Sequence, residues 1–78
     1  MEQYVIYQTI EDKTWYVTDI RYYERPDVDW VLYWGAGLDL KDAMIFNSKE
    51  KAQKIAAIMR EQYDDHGHSD NMQVKEMK

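Results

Sequence analysis

The chain has 78 residues, 45% of them hydrophobic and 14% aromatic, with no cysteine and a formal net charge of −5. This composition belongs to globular rather than disordered chains and leaves room for one domain, residues 1–78. It excludes disulfides and thiolate sites, and the acidity argues against direct nucleic-acid binding, which relies on clustered Lys and Arg.

The acidity is unevenly placed. Residues 1–46 hold Glu2, Glu11, Asp12, Asp19, Glu24, Asp27, Asp29, Asp39 and Asp42 against Lys13, Arg21, Arg25 and Lys41, whereas acids and bases balance in residues 47–78. The opening MEQYVIYQTI lacks the basic start and long apolar run of a signal peptide. No apolar run approaches the roughly 18 residues of a membrane span, so a soluble protein of the cytoplasm, with no membrane partner, is expected. A domain this small buries only about 60% of its unfolded surface, which predicts modest stability.

In chain order, Tyr4–Ile10 is rich in β-branched and aromatic residues and predicts a first strand. Glu11, Asp12 and Lys13 form a short polar connection to a second strand over Thr14–Glu24, giving a hairpin. Val17 and Ile20 have opposite parity along that strand. One face holds both only if a bulge near Asp19 shifts the register.

Pro26 ends the second strand, because it has no N–H to donate and holds Arg25 extended. Trp30–Trp34 predicts a third strand, closed by Gly35-Ala36-Gly37. A polar loop around Asp39–Asp42 leads to Ala43–Phe46, a short fourth strand or an extended lead-in to a helix. Ser48 is a good N-cap. After it, Ala52, Ile55, Ala56, Met59 and Tyr63 recur at helical spacing, predicting a helix from about Lys49 to about Asp65 with Gly67 as its stop. Met72–Met77 predicts a weak last strand at an edge.

The order β-β-β-(β)-α-(β) predicts a two-layer α+β fold, an antiparallel sheet of roughly three to five strands with one helix on one face. A helix of about 16 residues is roughly 24 Å long and covers one side of such a sheet. Large apolar residues nevertheless occupy both parities of the strands. Ten of the eleven aromatic residues precede residue 47, so one face retains aromatics with no helix to cover them.

That surplus has two readings. Tyrosines half-cover an exposed sheet as β propensity allows, or the face is an interaction surface, since Tyr and Trp offer large rigid contact area with a polar tip. The second reading selects Tyr22, Tyr23, Trp30, Tyr33 and Trp34, with Asp27, Asp29, Asp39 and Asp42 in the adjoining turn and loop. The partner is then a protein, one with a basic nucleic-acid-binding groove if the acids imitate a phosphate backbone. A homodimer joined through the exposed sheet is the alternative. RNA-binding platforms also stack bases on sheet aromatics, but they combine these with basic residues, which this region lacks.

No catalytic arrangement can be picked out by spacing, so a non-enzymatic protein without cofactor is expected. Gly35-Ala36-Gly37 lacks the residues of a phosphate loop. Asp64, Asp65, His66, His68 and Asp70 form a metal-like cluster, although a polar loop after a helix has the same composition, and no metal is expected there.

Phe46-Asn47-Ser48 followed by the Ala/Ile-rich run Ala52–Met59, within Ala43–Tyr63, resembles a pattern of small phage and prophage proteins, in which a few strands feed a Phe-x-Ser turn and a helix. The resemblance covers about a quarter of the chain. It implies a small non-enzymatic protein of the bacterial cytoplasm that binds and blocks a host protein, as anti-CRISPR proteins do to CRISPR nucleases. It carries over no functional residue.

With no metal role, replacing His66 and His68 together by Ala leaves the melting temperature unchanged. A loss of stability on adding a chelator to the parent chain would contradict this, since a metal held by the folded state stabilises it by mass action.

Overall fold

The computed structural model describes residues 2–25, 28–61 and 71–77, with side chains described outside 22–33. It shows one antiparallel sheet of four strands, β1 (Gln3–Ile10), β2 (Lys13–Arg25), β3 (Val28–Gly37) and β4 (Gln73–Met77), in the order β3-β2-β1-β4. A single helix, α1 (Lys49–Glu61), packs on one face of it. The α+β expectation holds, with the last strand at an edge, beside β1.

Local chemistry explains the elements. Glu11 and Asp12 take φ of 50° and 68° and form a two-residue turn whose hand matches the twist of the flanking strands. The turn sets the pairing of Ile10 with Lys13 and Tyr7 with Tyr16. Ser48 caps α1, its Oγ accepting from Lys51 N–H at 3.2 Å and its carbonyl from Ala52 N–H at 3.1 Å. Near the other end, the Arg60 guanidinium donates to the Met72 carbonyl at 2.8 Å and ties α1 to the start of β4. The described helix ends at Glu61, and the expected continuation to Asp65 with its stop at Gly67 lies outside the described residues.

The core is the meeting of two stripes. Ala52, Ile55, Ala56 and Met59 of α1 are buried, as their spacing predicts, against Tyr4, Ile6, Val17, Phe46 and Met72. Ile20, Trp34, Ile58 and Val74 pack around this cluster. The register of β2 against β3 shifts between Val17 and Asp19, where two steps on β2 face one on β3. This is the expected bulge, and beyond it Ile20 returns to the side of Val17.

The third strand departs from expectation. Gly35-Ala36-Gly37 does not close it; β3 runs to Gly37, and these residues pair with Asp19, Val17 and Tyr16. The reason is steric. A Cβ at Gly35 would collide with Asp19 Oδ1 and stand 2.9 Å from Thr18 Oγ1, so glycine here makes room for the bulge rather than turning the chain.

Ala43–Phe46 is the extended lead-in, with one isolated bridge from Phe46 to Tyr4. Tyr4 N–H donates to the Phe46 carbonyl at 2.8 Å and Phe46 N–H to the Tyr4 carbonyl at 2.9 Å, while Met44 N–H donates to the Val17 carbonyl at 2.8 Å. The segment is thus bonded to both β1 and β2 beyond the point where their mutual pairing stops. The hydroxyl of the buried Tyr4 side chain donates to the Glu2 carboxylate at 2.6 Å, a partly buried bond. That bond, with burial and the charges of Glu2 and Glu76, pushes its pKa up to about 12.

Ile55→Asp places an unpaired carboxylate between helix and sheet, at a cost of several kcal/mol, comparable with the whole stability of so small a domain. A thermal melt of this variant is expected to show no folded transition. A transition like the parent's would contradict the packing of α1.

Candidate interaction surface

β1 pairs with β2 over Tyr7–Ile10 and Lys13–Tyr16. β2 and β3 continue together to the pair Arg25–Val28. Among the described residues β2 has no strand partner other than β3 beyond Val17. Among the residues with described side chains, the last pair packed against the core is Ile20–Trp34. The hairpin continues about 16 Å past that pair as a two-stranded arm, counting 3.3 Å per residue from Ile20 to Arg25.

Tyr22, Tyr23, Asp29, Trp30 and Tyr33 all fall on this arm, in the ladder pairs Arg21–Tyr33, Tyr22–Leu32 and Tyr23–Val31 and the segment just beyond them. Their side chains lie outside the described residues, as does Asp27 entirely. Trp34 stands at the root of the arm, half-buried and packed on the core beside the helix, so it belongs to the covered side of the sheet. At that root Arg21 Nε meets Asp19 Oδ2 at 3.3 Å. The pair is mostly exposed and contributes little to stability.

Asp39 and Asp42 lie in the loop after β3. Asp39 caps a short 3₁₀ turn, Leu40–Asp42, its carboxylate accepting from Lys41 N–H at 3.1 Å and approaching Lys41 Nζ at 3.5 Å. Sequence reasoning took this loop as polar. The structure adds apolar surface, since Leu38, Leu40, Met44 and Ile45 are exposed, Leu38 by 53%. The Leu-Asp-Leu and Met-Ile pairs were visible in the sequence, but nothing in their spacing distinguishes an exposed pair from a buried one. Two carboxylates thus stand among exposed apolar side chains.

The sheet face opposite α1 carries a second group that sequence reasoning missed. Ile6 and Val74 pair on the helix side, so the neighbouring positions Val5, Tyr7, Gln73 and Lys75 alternate to the other face. There Tyr7 stands across from Tyr16, and the Lys75 ammonium lies 5.1 Å and 5.2 Å from their ring centres. Lys75 Nζ also donates to the Tyr16 hydroxyl at 3.4 Å, and the Tyr7 hydroxyl donates to Gln73 Oε1 at 2.8 Å. A cation over two rings contributes about 0.5–1 kcal/mol per exposed contact. Tyr7 and Tyr16 are thus half-covered from within the chain.

Nothing else described converges on chemistry. An open depression of about 480 Å³ beside the first turns of α1 is lined by Ser48, Glu50, Lys51, Gln53 and Lys54, all from one element and its cap. Among the described residues no three His, Cys, Asp or Glu side chains gather as metal ligands. Asp64, Asp65, His66, His68 and Asp70 lie outside those residues. No described helix is long and apolar enough to cross a membrane. Comparison with protein-family models, curated proteins and solved structures finds no match to the chain.

The bulge at the root of the arm depends on the missing side chain of Gly35. Gly35→Ala is expected to destabilise the domain by about 1–2 kcal/mol, the usual range for overpacking. Combining it with Asp19→Ala, which removes the colliding carboxylate, is expected to restore part of the loss. Denaturant unfolding of the two single variants and the double variant measures this coupling, and strict additivity would contradict it.

Proposed function

We propose that this chain is a small non-enzymatic interaction protein that binds a partner protein through the β2–β3 arm and the adjoining loop Leu38–Ile45. One observation carries the reading. The β2–β3 hairpin continues past Ile20–Trp34, the last described pair packed on the core, and the loop at its base exposes Leu38, Leu40, Met44 and Ile45. A two-stranded ribbon is at best marginally stable alone, so an arm that outruns its core is a natural docking element.

The acids indicate the kind of partner. Asp29 lies near the far end of β3's pairing with β2, and Asp39 and Asp42 lie in the loop after β3, within a half of the chain that holds the whole net charge. A protein with a basic groove, such as a nucleic-acid-handling effector of a bacterial host, fits such a surface, and occupation of that groove would inhibit it. Acidic residues would steer the encounter, while apolar side chains would govern how long the complex lasts.

The test begins with proteins retained from a bacterial lysate by the immobilised chain, followed by binding kinetics with the retained protein. Asp39→Lys with Asp42→Lys is expected to slow association several-fold and flatten its salt dependence. Leu38→Ser with Leu40→Ser is expected to speed dissociation at least tenfold, as loss of an anchor does. A partner bound equally well by both variants, with the fold intact, would refute the reading.

A further inference from the structure

Among the described residues, no strand pairs with the outer edge of β3, the terminal strand of the sheet. Such edges present a row of backbone donors and acceptors, and chains normally blunt them with Lys, Pro, bulges or short length. β3 is ten residues long, VDWVLYWGAG, and carries one charge, Asp29.

Its two register shifts leave the middle of the edge regular. The first, between Val17 and Asp19, places its extra residue on β2. The second falls between Val31 and Val28, so Asp29 lies within it. Seven consecutive residues, Val31–Gly37, remain uncharged and in register.

This stretch is complementary to itself. When two copies run antiparallel with Trp34 on the two-fold axis, Val31 stands opposite Gly37, Leu32 opposite Ala36 and Tyr33 opposite Gly35. Every large residue faces a small one, and the two Trp34 residues face each other. Glycines in a strand are weak because they leave cross-strand space empty, and a large neighbour across the ladder fills it. Moving the register by one residue would set the helices of the two copies on opposite faces of the joined sheet, and a parallel arrangement would bring Asp29 against Asp29.

We infer that the chain associates with a second copy of itself by antiparallel pairing of β3 over Val31–Gly37, joining two four-stranded sheets into one of eight strands. The arms of the two copies then lie side by side, β2-β3-β3′-β2′, so each is supported by the other. Trp34, packed on the core beside the helix, meets its counterpart and makes the two cores adjoin. The pairing uses the edge and leaves both faces of the arm and the loop Leu38–Ile45 accessible. It does not rest on the partner proposed above.

Ala36 supplies the test because it is exposed, standing across the ladder from Val17, and lysine keeps its Cβ. Ala36→Lys places a charge and a bulky chain opposite Leu32 of the second copy without removing an internal contact. Sedimentation equilibrium over a wide concentration range is expected to show the parent chain passing from 9.5 kDa to twice that mass. Ala36→Lys is expected to weaken the dimer at least tenfold while keeping the parent's circular dichroism. Met44→Lys, exposed but off the edge, is expected to dimerise as the parent does. Amide exchange in Val31–Gly37 is expected to slow as the parent dimerises, but not in Ala36→Lys. Because the seam is backbone pairing with no ion pair, salt is expected to change the mass distribution little. A parent that stays at 9.5 kDa throughout overturns the inference. So does a dimer that survives Ala36→Lys, or one abolished by Met44→Lys.

Discussion

One apolar stripe on one helix sets the terms for this domain. Ala52, Ile55, Ala56 and Met59 must be removed from water, and they are covered by Tyr4 and Ile6 of β1, by Met72 at the start of β4 and by Phe46. A helix of thirteen residues spans only about 20 Å at 1.5 Å per residue. The described part of α1 contacts β1 and β4.

The lead-in to the helix shows how the sheet adjusts. Beyond their shared turn, β1 and β2 stop pairing, which would leave backbone groups on both strands without partners. Met44 bonds to Val17 on one side, and Phe46 bonds reciprocally to Tyr4 on the other. Buried backbone groups need partners, and here a non-strand segment provides them. Phe46 and Ala43 are buried while Met44 and Ile45 between them stay exposed.

The two faces of the sheet are handled differently. On the face away from α1, Tyr7 and Tyr16 are bridged by Lys75, so the chain half-covers its own aromatics with a lysine stem and ammonium. On the arm no element of the described structure plays that part. The contrast marks β2–β3 and the loop after it as the region where further contacts would gain most, whether with a second copy or with a different protein.

The sequence by itself determined what depends on neighbouring residues. The helix phase and its Ser48 cap, the tight turn at Glu11–Asp12 and the bulge between Val17 and Asp19 all follow from local spacing and parity. Those signals are strong because helical and strand periods assign side chains to faces without reference to the rest of the chain. The tertiary structure alone decided which strands are neighbours and which apolar residues are covered. The order β3-β2-β1-β4, the extension of β3 through Gly35-Ala36-Gly37, the place of Trp34 beside the core, the exposure of Leu38 and Leu40 and the seat of Lys75 between Tyr7 and Tyr16 all arise from contacts between residues far apart in the chain. Parity says that a strand has two faces, but only the position of the helix says which one it hides.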